Sequence, residues 1–99
     1  MKYIIKESKI DMLMSEFLNS WIDSRKIIEF DRFIVLENIN GEEENEVEME
    51  YDGDDGRLWY LKNLRTLLMD LFGKSYIETD VFVGKFFEYK FGVEVNKVE

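Results

Sequence analysis

Carboxylates are the side chains in this sequence best placed to do something, and they are concentrated in one stretch. Between Asn38 and Gly56 lie Glu42, Glu43, Glu44, Glu46, Glu48, Glu50, Asp52, Asp54 and Asp55, with no basic residue among them. The segments on either side sum to −1 and +1, so this stretch carries the whole formal charge of −9. Three chemistries suit such a run: cation binding, carboxylate-based hydrolysis, and imitation of nucleic-acid phosphates to occupy a basic site on another protein. A plain solubilising hairpin that protects a sheet from edge pairing is the fourth reading.

The rest of the inventory narrows these. Histidine and cysteine are absent, which removes His- and Cys-based nucleophilic catalysis, thiolate metal sites and disulfides. No carboxylate pair stands at the mouth of a recognisable apolar pocket, where a raised pKa is expected. The chain is therefore read as non-enzymatic, without cofactor or metal, with a small carboxylate hydrolase as the alternative. An EF-hand loop starting at Asp52 places Arg57 sixth and Asn63 twelfth, where glycine and a bidentate glutamate are required. Gly73-Lys74-Ser75 matches the end of a phosphate-binding loop, but Leu68 stands where its first glycine belongs and a helix precedes it. A capping glycine followed by an N-cap serine accounts for it better. With no basic patch to offset the acids, direct binding to nucleic acid is excluded from the reading.

The elements that position these residues follow from periodicity. A chain of 99 residues with 45% hydrophobic and 15% aromatic residues has the size and core material of one domain. Its apolar runs are too short for a membrane span, and its start lacks a signal-peptide core, so a cytoplasmic protein with no membrane association is expected. Lys2–Lys6 reads as an extended arm, and Ser8 with Asp11 as a capping box. Ile10, Leu13, Met14, Phe17, Leu18, Trp21 and Ile22 then mark a helix over Lys9–Asp23. Ile27–Ile39 reads as one strand. Asn40-Gly41 signals a two-residue turn, which pairs Ile34 with Val47 and Phe30 with Tyr51; a longer loop over Gly41–Asn45 competes with it.

In the next strand Glu46, Glu48, Glu50 and Asp52 share one face opposite Val47, Met49 and Tyr51. The turn Asp52–Gly56 pairs Asp52 with Arg57, Tyr51 with Leu58 and Met49 with Tyr60. Leu58–Tyr60 leads directly into an amphipathic helix over Leu61–Phe72, closed by Gly73, and this joint is the hub of the chain. Ser75 and Glu78 form a second capping box, with Thr79 and Asp80 as alternative N-caps of a helix over Asp80–Phe91. Val93–Val98 reads as a last strand. The expected fold is α+β in the order α-β-β-β-α-α-β: a three-stranded antiparallel meander and a C-terminal strand, covered by about three helices.

The two ends, KYIIKESKIDMLMSEFL and VFVGKFFEYKFGVEVNKV, resemble those of small proteins encoded by T-even-like tailed phages, especially marine ones. These often begin with a lysine-isoleucine stretch and a Glu-Ser helix cap. The resemblance transfers no functional residue; it implies a phage setting and the cytoplasm of a bacterial host. The functional expectation is an accessory protein that binds a protein partner. Glu43, Glu44, Glu46, Glu48, Glu50, Asp52, Asp54 and Asp55 are its candidate contacts. The aromatics of Val81–Phe91 offer a second surface, suited to a homodimer.

Overall fold

The computed structural model describes residues 2–39 and 46–99. Its elements are α1 (Lys2–Asp23), β1 (Lys26–Phe30), β2 (Phe33–Glu37), β3 (Val47–Asp52), β4 (Arg57–Tyr60), α2 (Lys62–Phe72), α3 (Tyr76–Phe91) and β5 (Lys97–Val98). The five strands lie in sequence order in one sheet. β1 to β4 form an antiparallel meander, and β5 joins β4 in parallel. The α+β class is as expected, but the meander has four strands rather than three.

The extra strand arises at Asp31-Arg32, which folds the segment expected to be one strand into a β1–β2 hairpin with Phe30 opposite Phe33. Asp31 has φ 53, a conformation that Asp tolerates better than most residues. The arm also changes type. No Pro or Gly interrupts Lys2–Asp23, so α1 runs from Lys2, and Ser8 and Asp11 lie inside the helix rather than at its cap.

β2 and β3 pair four residues away from the two-residue-turn register: Ile34 faces Tyr51 and Leu36 faces Met49. An even shift preserves which face each side chain points to, so the apolar pattern fits both registers. Asn38 N–H donates to the Glu46 carbonyl at 2.9 Å, which holds the strands together beyond their ladder. Asn40-Gly41, Glu42, Glu43, Glu44 and the alternative loop lie outside the described residues. β3 and β4 pair in the expected register, Asp52 with Arg57 through Met49 with Tyr60.

One face of the sheet carries the core. Ile34, Leu36, Met49, Tyr51, Leu58 and Tyr60 are buried there against Leu18 and Ile22 of α1, Leu64 and Leu68 of α2, and Val83 and Phe87 of α3. Burying a large apolar side chain stabilises by roughly 1.5–3 kcal/mol, so this single layer holds most of the fold together. α2 ends at Gly73 with φ 65, its N–H donating to the Met69 carbonyl. α3 starts one turn earlier than the Asp80 boundary. The Ser75 hydroxyl accepts from the Glu78 N–H and the Glu78 carboxylate accepts from the Ser75 N–H, so the capping box prevails over Thr79 and Asp80. The last strand shrinks to two residues because other bonds hold the chain before it. Tyr51 OH donates to the Glu94 carbonyl, Val95 N–H to the Glu88 carboxylate, and Asn96 N–H to the Gly56 carbonyl.

Candidate functional site

Among the described residues, the opposite face of the sheet bears no helix. Strand alternation places three rows of side chains on it: Lys26 with Glu37 and Val47, then Ile28 with Val35, Glu50 and Trp59, then Phe30 with Phe33, Asp52, Arg57 and Lys97. Its apolar members are not deeply covered. Phe30 is 56% exposed, Val47 38% and Trp59 37%, with Ile28, Phe33 and Val35 partly buried between them. Phe30 and Phe33 stack with ring centres 5.6 Å apart. Protein surfaces commonly scatter single apolar residues, whereas these form a contiguous group.

The face is divided. β1 and β2 supply its apolar half, Ile28, Phe30, Phe33 and Val35 with the Lys26–Glu37 pair at one end, while β3, β4 and β5 supply a charged half in which Trp59 stands opposite Glu50. A hollow of about 450 Å³ lies in the charged half, lined by Val47, Glu50, Asp52, Arg57, Trp59 and Glu99. Arg57 stands 3.8 Å from carboxylate oxygens of Asp52, Asp55 and Glu99. Lys97 lies 3.5 Å from Glu99. These cations are therefore already balanced, whereas Glu46 and Glu50 are exposed carboxylates with no ion-pair partner among the described residues.

The structure separates the acidic residues that the sequence groups together. Leu36 pairs with Met49 and Glu37 with Val47, so Glu48 is the extra residue of a β-bulge. The bulge turns Glu48 from the face of Glu50 and Asp52 to the helix side. There its carboxylate accepts from Arg25 Nε at 2.5 Å, beside Trp21 and Leu64. Glu48 is buried at 8% exposure, so the expected row of Glu46, Glu48, Glu50 and Asp52 is broken. Asp54 and Asp55 lie in the β3–β4 turn beside Arg32 and Arg57. Glu43 and Glu44 lie outside the described residues. No group of three or more acidic residues is placed to hold a metal ion among the described residues.

The aromatics of Val81–Phe91 are mostly core. Phe87 is buried, Phe82, Phe86 and Phe91 pack partly buried against the core, and Tyr89 alone is fully presented, at 90% exposure. Sequence reasoning missed a network beneath α3. Asp80 Oδ1 accepts from Tyr60 OH at 2.5 Å and from Arg65 Nε at 2.8 Å. The Arg65 guanidinium lies 4.7 Å from the Tyr60 ring centre and 4.4 Å from that of Tyr76. Burial, then the hydrogen bond to Asp80, pushes the Tyr60 phenol well above its ordinary value. It stays protonated and donates, which suits a structural bond and not a general base. Nothing in the local sequence marks this triad, because its members come from β4, α2 and α3.

Compared with protein-family models, with curated proteins and with solved structures, the chain matches none. No described helix is long and apolar enough to cross a membrane.

Proposed function

We propose that this is a non-enzymatic interaction protein that docks a basic partner on the open face of its sheet. The observation that carries the reading is the uncovered apolar group around Phe30, Val47 and Trp59, bordered by Glu50. Aromatic anchors with a charged rim are the usual anatomy of such a surface. Asp52 and Glu99 in the hollow are turned to Arg57, which makes them ion-pair partners and leaves no free carboxylate pair for hydrolysis there. A regular phosphate-like row fits less well, since Glu48 is withdrawn to Arg25. The resemblance of the two chain ends to tailed-phage proteins supports a partner in the cytoplasm of a bacterial host.

The test is capture from bacterial lysate by the native chain and by a Phe30→Glu, Trp59→Ser variant. The expected result is a basic protein held by the native chain and lost by the variant. Its retention should fall between about 50 and 200 mM salt as exposed charges are screened. Equal capture by both forms overturns the reading.

A further inference from the structure

We propose that the β1–β2 half of the open face seats an amphipathic helix of a partner, apolar along one stripe and rich in Lys or Arg along one flank. This rests on the reading of the open face as the docking surface and names what occupies it.

Dimensions select a helix. The apolar half is two strands wide, roughly 10 Å, which matches the ~10–12 Å diameter of one α-helix. Ile28 to Phe30 and Phe33 to Val35 are three residues of each strand, with the Lys26–Glu37 pair beyond them, so the apolar band runs for about 10 Å and takes about seven helical residues, or two turns. Ile28, Phe30, Phe33 and Val35 form the floor, with Phe30 and Phe33 stacked at one end. A helix laid there completes a second covering layer, as α1, α2 and α3 complete the first.

Charge selects the flank. A helix seated over β1 and β2 has one side against β3 and β4, where Glu50 is exposed beside Trp59. Arg57 and Lys97 are held by Asp52, Asp55 and Glu99, so neither compensates Glu50. A Lys or Arg on the helix reaches that carboxylate and the face of the Trp59 ring together. A second copy of this chain fits poorly, because each copy carries a charge of −9.

The experiment titrates the full chain with three synthetic peptides of about fourteen residues and follows backbone amide shifts. One has Leu at helical spacing with Lys elsewhere, one has Leu and Lys strictly alternating, and one replaces Lys by Glu in the helical pattern. The helical Leu/Lys peptide should bind with shifts confined to β1, β2 and Trp59, and the Glu form should not bind. Phe30→Glu and Glu50→Lys, both at exposed positions, should each weaken it at least tenfold. Unchanged binding in both variants means unspecific attraction and overturns the proposal. Tighter binding of the alternating peptide, with shifts at Ile27 and Glu29, assigns the site to strand addition at the β1 edge and also overturns it. If no basic peptide binds while lysate capture still depends on Phe30 and Trp59, the helix is wrong and the docking face stands.

Discussion

Arg25 and Glu48 join across the corner where α1, β3 and α2 meet, Nε to Oε1 at 2.5 Å, with the guanidinium 4.4 Å from the Trp21 ring centre. The Glu48 carbonyl also accepts from the Leu61 N–H at 3.1 Å. A single bulged residue thus ties the end of the first helix and the entry to α2 to the sheet. A charge-assisted bond this sheltered is worth about 1.5–3 kcal/mol. Glu48→Ala should therefore destabilise by about 2 kcal/mol, while Glu50→Ala, exposed one bulge away, should stay within about 0.5 kcal/mol. Urea unfolding midpoints of the two variants check the contrast, and equal midpoints would refute it.

Asp80 stands between two donors, and removing it leaves the Arg65 guanidinium buried without its counter-ion. Asp80→Ala should cost about 3–5 kcal/mol. Tyr60→Phe, which takes one neutral donor and leaves the ion pair, should cost about 1 kcal/mol. Chemical denaturation at neutral pH measures both, and a cheaper Asp80 than Tyr60 contradicts the network.

The same tyrosine makes stability sensitive to alkali. The Tyr60 pKa is raised in the fold, first by burial and then by the Asp80 hydrogen bond. Folding thus favours the protonated phenol. Its contribution is complete below the unfolded value of about 10 and is lost as pH rises towards the folded value. Stability of the native chain should fall as pH rises above about 10, and the Tyr60→Phe variant should show a shallower fall over the same range. Parallel curves in a pH series of thermal melts contradict this.

Two glycines with positive φ separate strain from crowding. A Cβ on Gly73 meets nothing within 4 Å, so Gly73→Ala adds only the cost of the left-handed backbone, about 1 kcal/mol. On Gly56, with φ 69, it lies 2.5 Å from Asn96 Nδ2 and 3.1 Å from the Glu94 carbonyl oxygen. Gly56→Ala should cost more and release the tail, seen as faster amide exchange at Asn96 and Glu99, whose N–H groups donate to Gly56 and Leu58. A Gly56 variant no worse than the Gly73 variant refutes the crowding.

Local signals carried the joint of the fold. Leu58 to Gly73, the Ser75–Glu78 cap and the β3–β4 register were legible because each depends on residues close in sequence. The β2–β3 register was not, since a four-residue shift leaves the alternation of Ile34, Leu36, Met49 and Tyr51 intact. The Asp31-Arg32 turn carries no Gly or Pro to mark it, and only the thirteen-residue length of Ile27–Ile39, far above the usual length of about 5–6, signals a break there. Of the candidate contacts, Glu50 and Asp52 are on the face where the pattern puts them, whereas the bulge at Glu48, which also brings Val47 to that face, depends on strand pairing that periodicity does not encode. The open face itself was invisible in sequence, because Ile28, Phe30 and Phe33 look like ordinary strand core until the helices are seen to share one side.

Within the acidic stretch Glu48 is structural, through Arg25. Glu43, Glu44, Glu46 and Glu50 belong in sequence to a run of like charges whose repulsion costs stability unless a partner or counter-ions offset it. Replacing these four with Gln should leave the fold intact and raise the thermal midpoint slightly in low salt, with the gain fading as ionic strength shortens the ~10 Å screening length at 0.1 M. Adding Glu48→Gln to the set should reverse the gain, because the extra change weakens a buried pair instead of relieving repulsion. Retention of a basic partner should fall in the four-residue variant while retention driven by Phe30 and Trp59 persists at high salt. A four-residue variant that melts lower than the native chain at low salt shows that these carboxylates hold the fold, and removes them from the docking surface.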